Sequence, residues 1–174
     1  MTPDRVVVYP GAKPPIGLSV QMYVNPGEEV IYPSPGFPIY ESFAVYCGAK
    51  PVPLHLEEAK DFSFDGDDIA KLITPKTKLI FLNFPSNPTG GVATKEQLER
   101  IAAVIMKKCS PDVRVYADEV YEDIVFDGLT HYSIASVPGM EKYTIVSSGA
   151  SKSYSWTGGR LGWATFPTVE EAQM

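Results

Sequence analysis

The chain has 174 residues, of which 44% are hydrophobic and 21% are charged. These proportions are typical of a folded globular protein, and a chain of this length can bury about 70% of the surface of its unfolded form. The formal net charge of −6 argues against nucleic acid and anionic membranes as partners.

The cysteines and the N-terminal residues indicate an ordinary cytoplasmic setting. Cys47 and Cys109 are far apart and lack the spacing of metal ligands, so we interpret them as buried or incidental thiols and expect no metal site. The three valines after Arg5 are too few for the apolar core of a signal peptide, and no apolar run approaches membrane-spanning length. We therefore expect a cytoplasmic protein without a membrane partner.

Short β-branched runs alternate with longer amphipathic segments along the chain. Strands are predicted, in chain order, at residues 5–9, 29–32, 51–56, 78–83, 114–117, 144–147 and 161–166. Helices are predicted at residues 13–24, 39–47 and 65–73, and a further helix begins at Thr94, where Thr94 and Gln97 form a capping-box pattern.

This alternation predicts an α/β fold in which helices cover both faces of a mostly parallel sheet, giving three layers in the order α/β/α. The run Leu79-Ile80-Phe81-Leu82 is apolar on both sides of its strand, which fits a sheet that is covered twice. The sequence contains no internal repeat, no low-complexity segment and no convincing linker. We therefore treat residues 1–174 as one domain.

The most informative motif is Ser147-Ser148-Gly149-Ala150-Ser151-Lys152, which is followed by Thr157-Gly158-Gly159-Arg160. The lysine comes just after a strand, where we expect its amine to be partly desolvated. Desolvation lowers the pKa of an amine and makes it more nucleophilic. The two glycines let the guanidinium of the arginine approach a compact anion. A lysine combined with a phosphate clamp is what an enzyme needs to hold pyridoxal 5'-phosphate (PLP) as a Schiff base.

Four other segments point to the same chemistry, and each follows a predicted strand, at the edge where open α/β sheets bind ligands. They are Tyr9-Pro10-Gly11-Ala12-Lys13, Ser34-Pro35-Gly36-Phe37, Asn83-Phe84-Pro85-Ser86-Asn87-Pro88-Thr89-Gly90 and Tyr116-Ala117-Asp118-Glu119-Val120-Tyr121. With these motifs in this order, the chain resembles the class I/II aminotransferases, the aspartate aminotransferase-like branch of the fold-type I PLP-dependent enzymes. The resemblance extends over essentially all of the sequence.

The resemblance implies a fold and a domain organisation. The large, PLP-binding domain of the family has a seven-stranded sheet in the order 3-2-4-5-6-7-1, with the seventh strand antiparallel to the rest. Family members are roughly twice as long as this chain, so we expect it to lack an N-terminal segment and a C-terminal small domain. They are homodimers whose active sites borrow residues from the partner, which implies a homodimer for the full-length form.

The resemblance also assigns roles around the cofactor ring. Asp118 would pair with the pyridinium nitrogen, and Asn87 and Tyr121 would hydrogen-bond the 3′-oxygen and so lower the pKa of the Schiff base. Phe37 takes the place of an aromatic residue that stacks on the ring. From the residues alone, Asp118 could instead be a helix N-cap, Asn87 a turn residue and Tyr121 a partly buried aromatic.

Phosphate would be bound at the start of the first helix. Gly11, Ala12 and Lys13 join the first strand to this helix, whose free backbone amides and dipole attract anions, although a simple strand-to-helix turn has the same pattern. Arg160 would supply the charge.

Two positions in the lysine and arginine motifs depart from the family pattern. The family often has a serine three residues before the lysine. Here that residue is Gly149, so Ser148 or backbone amides would have to replace it. Gly159 stands where a bulky tryptophan is common.

These roles imply an aminotransferase that moves an amino group between an L-amino acid and a 2-oxo acid, with Lys152, Asp118 and Tyr121 as catalytic residues. Lys13 occupies a position at which some relatives contact the distal carboxylate of aspartate, which suggests an aspartate/2-oxoglutarate type. A solvent-facing lysine is the alternative. A C–S lyase, an aminocyclopropane-carboxylate synthase-like enzyme and a catalytically incompetent fragment are also open, because the residue that binds the substrate α-carboxylate lies outside this chain.

Overall fold

The computed structural model describes residues 2–174 and shows one seven-stranded sheet. The strands are β1 (Val6–Tyr9), β2 (Glu29–Ser34), β3 (Lys50–His55), β4 (Thr77–Asn83), β5 (Arg114–Asp118), β6 (Thr144–Gly149) and β7 (Gly162–Thr165). Their spatial order is β1-β7-β6-β5-β4-β2-β3. β7 is antiparallel to both of its neighbours, and the remaining pairs are parallel. The predicted fold class, strand order and direction of the last strand are confirmed.

The helices alternate with the strands. They are α1 (Lys13–Tyr23), α2 (Ile39–Tyr46), α3 (Gly66–Ala70), α4 (Lys95–Lys108), α5 (Ala150–Ser153) and α6 (Val169–Ala172). Four single turns of 3₁₀-helix lie at Pro3–Arg5, Glu58–Lys60, Ile134–Ser136 and Met140–Lys142. Within residues 2–174, none of these helices combines the length and the apolar character needed to cross a membrane.

Capping residues account for where two of the helices begin. The Thr94 hydroxyl accepts a hydrogen bond from the Gln97 amide at 3.1 Å, which completes the predicted capping box of α4. Asp65 caps α3 in the same way, but this helix ends at Ala70, earlier than the predicted residue 73. Its last turn tightens, because the Leu72 amide donates to the Ile69 carbonyl three residues back.

Each face of the sheet packs against its own pair of helices, which confirms the three-layer arrangement. Ile80 and Leu82 of β4 point into a core formed with α3 and α4. Leu79 and Phe81 of the same strand point into a second core formed with α1 and α2. Because β4 and β5 are buried on both faces, polar groups at their carboxyl ends lie at the boundary between a dry core and the pocket described below.

Candidate active site

A pocket of about 190 Å³ opens at the carboxyl edge of the sheet. Eight of the residues that we predicted from the sequence line it: Ala12, Lys13, Phe37, Asn87, Asp118, Tyr121, Lys152 and Arg160. Five further residues line it that the sequence analysis did not assign to the site: Ile16, Tyr40, Asn83, Val120 and Ser151. Gly11 and Ser148, the two remaining predicted residues, lie just outside the lining.

Asp118 carries the most unusual electrostatics of the site. Its side chain is at the end of β5 and the residue is only 5% exposed. The Tyr40 hydroxyl donates to Oδ2 at 2.7 Å, and the Val120 amide donates weakly to Oδ1 at 3.4 Å. Burial raises the pKa of Asp118 to about 6, even though these two hydrogen bonds favour the charged form. Within residues 2–174, no lysine, arginine or histidine forms an ion pair with it.

Tyr40 is the principal residue that the sequence analysis missed. It lies in α2, fully buried, with its ring stacked on Phe81 at a centroid distance of 4.5 Å and edge-on to Phe37 at 5.8 Å. Burial and the neighbouring Asp118 raise the pKa of the Tyr40 hydroxyl well above its usual value, so it is a hydrogen-bond donor at neutral pH. No motif in the sequence marks Tyr40 as a site residue, and its ring is also part of the core.

Asn83 joins two of the predicted site residues. Its side-chain amide donates to the Asp118 carbonyl at 2.9 Å, and its Oδ1 accepts from the Asn87 amide at 2.8 Å. The residue is buried at the end of β4, directly opposite Asp118 in the register of β4 and β5. Asn83 therefore fixes the position of the turn that carries Asn87 relative to the acid.

Lys152 and Tyr121 come from neighbouring strand ends and meet at the rim of the pocket. Lys152 Nζ lies 5.4 Å from the centre of the Tyr121 ring, within the range of a cation–π contact. Lys152 is exposed, so the partial desolvation of its amine stays a prediction. The short helix α5 begins directly after β6 and places Lys152 in the lining at the open side of the pocket.

Arg160 and the loop before α1 form the corner of the pocket at which the sequence predicts phosphate binding. Gly11 has a φ of +101°, which favours glycine, and a Cβ atom there would lie 2.2 Å from Nη2 of Arg160 and displace this guanidinium. The arginine donates to the Thr157 carbonyl at 2.9 Å, which orients it. The helix contributes fewer free amides than we expected, because Pro14 and Pro15 in its first turn have no N–H group.

The two glycines that depart from the family pattern have close neighbours. A Cβ atom at Gly159 would lie 2.2 Å from the Trp156 ring, so the indole already fills the space beside this backbone. A Cβ atom at Gly149 would lie 3.1 Å from the Leu161 carbonyl oxygen and 3.3 Å from the Ala12 Cβ. At these two positions the backbone is therefore closely covered by its neighbours.

Ser148 has a different partner from the one the sequence suggested. Its hydroxyl donates to a carboxylate oxygen of Glu122 at 2.7 Å, and the residue is buried at the end of β6. Ser151, one residue before Lys152, lines the pocket instead.

Comparison with known proteins finds aminotransferases at the level of both the family and individual relatives. A family model described as "Aminotransferase class I and II" matches residues 1–173. The chain is 38% identical to aromatic-amino-acid aminotransferase 2 of Thermococcus litoralis, over 94% of this chain and 41% of that protein. It is also 38% identical to an aspartate aminotransferase of Pyrococcus abyssi, with the same two shares.

Solved structures share the fold as well as the sequence. An aromatic aminotransferase from Pyrococcus horikoshii superposes with a TM-score of 0.89 at 37% identity, covering 97% of this chain and 45% of that one. Aspartate aminotransferase from Thermus thermophilus with maleate gives 0.90 at 32% identity, covering 99% and 44%. The chain thus spans less than half the length of the relatives it matches.

The buried carboxylate of Asp118 leads to a prediction about stability. Since the folded pKa is raised, the folded state binds a proton more tightly than the unfolded state does, and stability is lost as the pH rises from about 4 to about 6. Asp118→Asn removes this loss. We expect the cofactor-free variant to be more stable than the wild type by about 2–3 kcal/mol at pH 7, and nearly equal to it at pH 4.

Denaturant unfolding of both proteins at the two pH values measures this difference. Asp123→Asn, at an exposed position on the adjacent segment, is the matched control and should change stability little at either pH. A variant that gains nothing at pH 7 relative to pH 4 would show that burial does not strain the Asp118 carboxylate.

Proposed function

Because the chain belongs to the aminotransferase class I and II family, we propose that its pocket binds PLP, the cofactor that this family typically uses, and that the complete protein transfers an amino group between an L-amino acid and a 2-oxo acid. The observation that carries this proposal is Asp118, a buried carboxylate that forms no ion pair within residues 2–174. A ligand with a cationic ring nitrogen would stabilise its ionised form.

The other residues of the pocket fit the remaining parts of PLP. Arg160 and the N-terminus of α1 suit a phosphate dianion, and the Lys152 amine is at the rim, where it can bind an aldehyde carbon. Phe37 lies in the wall, where it can stack on a planar ring. When bound, PLP supplies a ring that withdraws electrons from the substrate.

The protein contributes binding, orientation and proton transfer. Asp118, held by Tyr40, keeps a positive charge on the ring nitrogen favourable. In this proposal Asn87 and Tyr121 donate hydrogen bonds to the ring oxygen. The contacts of Asn83 with Asp118 and Asn87 support it, because they keep Asn87 in register with the acid. The Lys152 amine is the proposed base that takes the proton from the substrate Cα and later returns one as an acid.

Several relatives carry names that include transaminase or aminotransferase activity, which favours amino-group transfer over the lyase and synthase alternatives. We propose that residues 1–174 are the PLP-binding large domain of a longer enzyme and that the complete enzyme is a homodimer. The residue that binds the substrate α-carboxylate would then lie in another part of the enzyme.

Chemical trapping tests the cofactor assignment. Borohydride reduction of the PLP-treated protein followed by peptide mapping should label Lys152, since this amine is the proposed attachment point. The label should persist in Lys13→Ala and disappear in Lys152→Ala. A label on another lysine, or one that survives in Lys152→Ala, would contradict the assignment.

The phosphate assignment has its own measurement. Arg160→Ala should raise the Kd for PLP by about tenfold or more, because charge-assisted hydrogen bonds are lost. The Kd for pyridoxal, which lacks the phosphate, should stay within about twofold under the same conditions. Arg100→Ala, which removes an exposed arginine paired with Asp65 away from the pocket, is the matched control. Equal effects on both ligands would place the phosphate elsewhere.

For the substrate class, we propose a dicarboxylic amino acid such as aspartate, with 2-oxoglutarate as the acceptor. Lys13 is exposed at the mouth of the pocket, with its Nζ 5.9 Å from the centre of the Phe37 ring. A flexible ammonium group there can reach a distal carboxylate of the substrate. The Thermus thermophilus relative has been solved with maleate, a dicarboxylate, which agrees with this proposal.

Steady-state kinetics on the complete protein distinguishes this role from that of a surface lysine. Lys13→Ala should lower kcat/KM for aspartate by about tenfold and change the value for alanine by less than about twofold. Lys142→Ala, at an exposed lysine that does not line the pocket, serves as the control. A loss by the same factor for both substrates would mean that Lys13 does not recognise the distal carboxylate.

A further inference from the structure

The segment that follows β5 is fixed at two points that flank Tyr121. At the first point, Glu119 is 5% exposed and accepts a hydrogen bond from the Ser133 hydroxyl at 2.6 Å. Its second carboxylate oxygen lies 3.0 Å from Nε2 of His131. These contacts join the two ends of residues 119–133 and close them into a loop.

At the second point, the loop is attached to the next strand of the sheet. Glu122, the residue after Tyr121, accepts the hydrogen bond from the Ser148 hydroxyl at 2.7 Å. Ser148 is the penultimate residue of β6, and α5, which carries Lys152, begins two residues later. A backbone hydrogen bond from the Glu119 amide to the Ser147 carbonyl, at 2.9 Å, also joins the segment to β6. The two hydrogen bonds thus attach the segment to β6 on either side of Tyr121.

The rest of the loop offers little to hold it in place. Ile124, Phe126 and Leu129 are exposed, so these three apolar side chains do not anchor the loop to the sheet. Three backbone turns fix only its local shape: the amides of Glu122, Ile124 and Leu129 donate to the carbonyls of Glu119, Tyr121 and Phe126, respectively. A segment with few buried contacts depends on its remaining attachments for its position.

We propose that Glu122 and Ser148 are positioning residues that hold the Tyr121 side chain in register with Lys152. The inference rests on the proposed function, because it concerns where the Tyr121 hydroxyl stands relative to the cofactor. It assigns Ser148 a role that differs from phosphate binding. It also assigns a role to Glu122, whose side chain is outside the pocket lining. Neither residue contacts the reacting atoms.

Glu119, Glu122 and His131 also place one potential ligand atom each within 4.8 Å of one another, an arrangement that could hold a metal ion. Hydrogen bonds already satisfy both oxygens of Glu119 and one of Glu122. These hydrogen bonds within the protein therefore account for the positions of the two carboxylates, in keeping with the positioning role.

The first test uses the protein without cofactor. Hydrogen–deuterium exchange of the peptide that contains residues 119–126 should speed up by about fivefold or more in both Ser148→Ala and Glu122→Ala. Glu122→Gln keeps an acceptor oxygen and should stay near the wild type, and Asp123→Ala is the control for loss of a neighbouring charge. Unchanged exchange in Ser148→Ala and Glu122→Ala, or faster exchange in the wild type after EDTA treatment, would overturn the inference.

The second test uses the protein with PLP bound and reads the pH at which the visible absorbance band of the cofactor changes. Ser148→Ala should move this midpoint in the same direction as Tyr121→Phe, by about half a pH unit. In the Tyr121→Phe background, Ser148→Ala should add less than about 0.1 pH unit, because its effect acts through the tyrosine.

The two tests distinguish a failure of the proposed function from a failure of the positioning role. A wild-type protein that never develops the absorbance band contradicts the proposed function, while the exchange measurement still decides whether Ser148 and Glu122 fix the loop. A band whose midpoint is unmoved by Ser148→Ala, or moved equally with and without Tyr121, contradicts the positioning role.

Discussion

The buried carboxylate of Asp118 is the constraint around which the rest of the site is arranged. An ionised acid at the end of a strand that is covered on both faces costs free energy, and the Tyr40 hydroxyl offsets that cost only in part. The protein keeps the acid where we expect the neutral side chain of asparagine to be more stable. A cationic ligand would stabilise the ionised carboxylate. Asp118 therefore lowers the stability of the ligand-free protein and, in our proposal, contributes to ligand binding.

The topology of the sheet brings the other groups to the acid. β5 lies between β4 and β6, so the carboxyl ends of these three strands place Asn83, Asp118 and Ser147 side by side. Segments after the same strands carry Asn87, Tyr121 and Lys152. The antiparallel β7 begins at this edge, and so Arg160 just before it reaches the loop after β1. Parallel strands with one reversed strand thus gather residues that are distant in the sequence.

Much of this arrangement could be predicted from the sequence, because each motif followed a recognisable strand and strand ends meet at one edge. Contacts made through packing could not. Tyr40 belongs to no recognised motif, and its hydrogen bond to Asp118 depends on how α2 packs on the sheet. The exposure of Lys152 depends on a four-residue helix with no clear sequence signal. The partner of Ser148 depends on the path of the loop after β5, which its exposed apolar residues do not specify.

A comparison of PLP with its carbocyclic analogue, in which C–H replaces the ring nitrogen, tests the central claim most directly. If Asp118 is completed by the cation of the ring, PLP should bind to the wild-type protein about tenfold or more tightly than the analogue, as measured by equilibrium titration at pH 7. The ratio of the two dissociation constants should fall toward one in Asp118→Asn. Equal affinities in the wild type, or a ratio that Asp118→Asn leaves unchanged, would contradict the account.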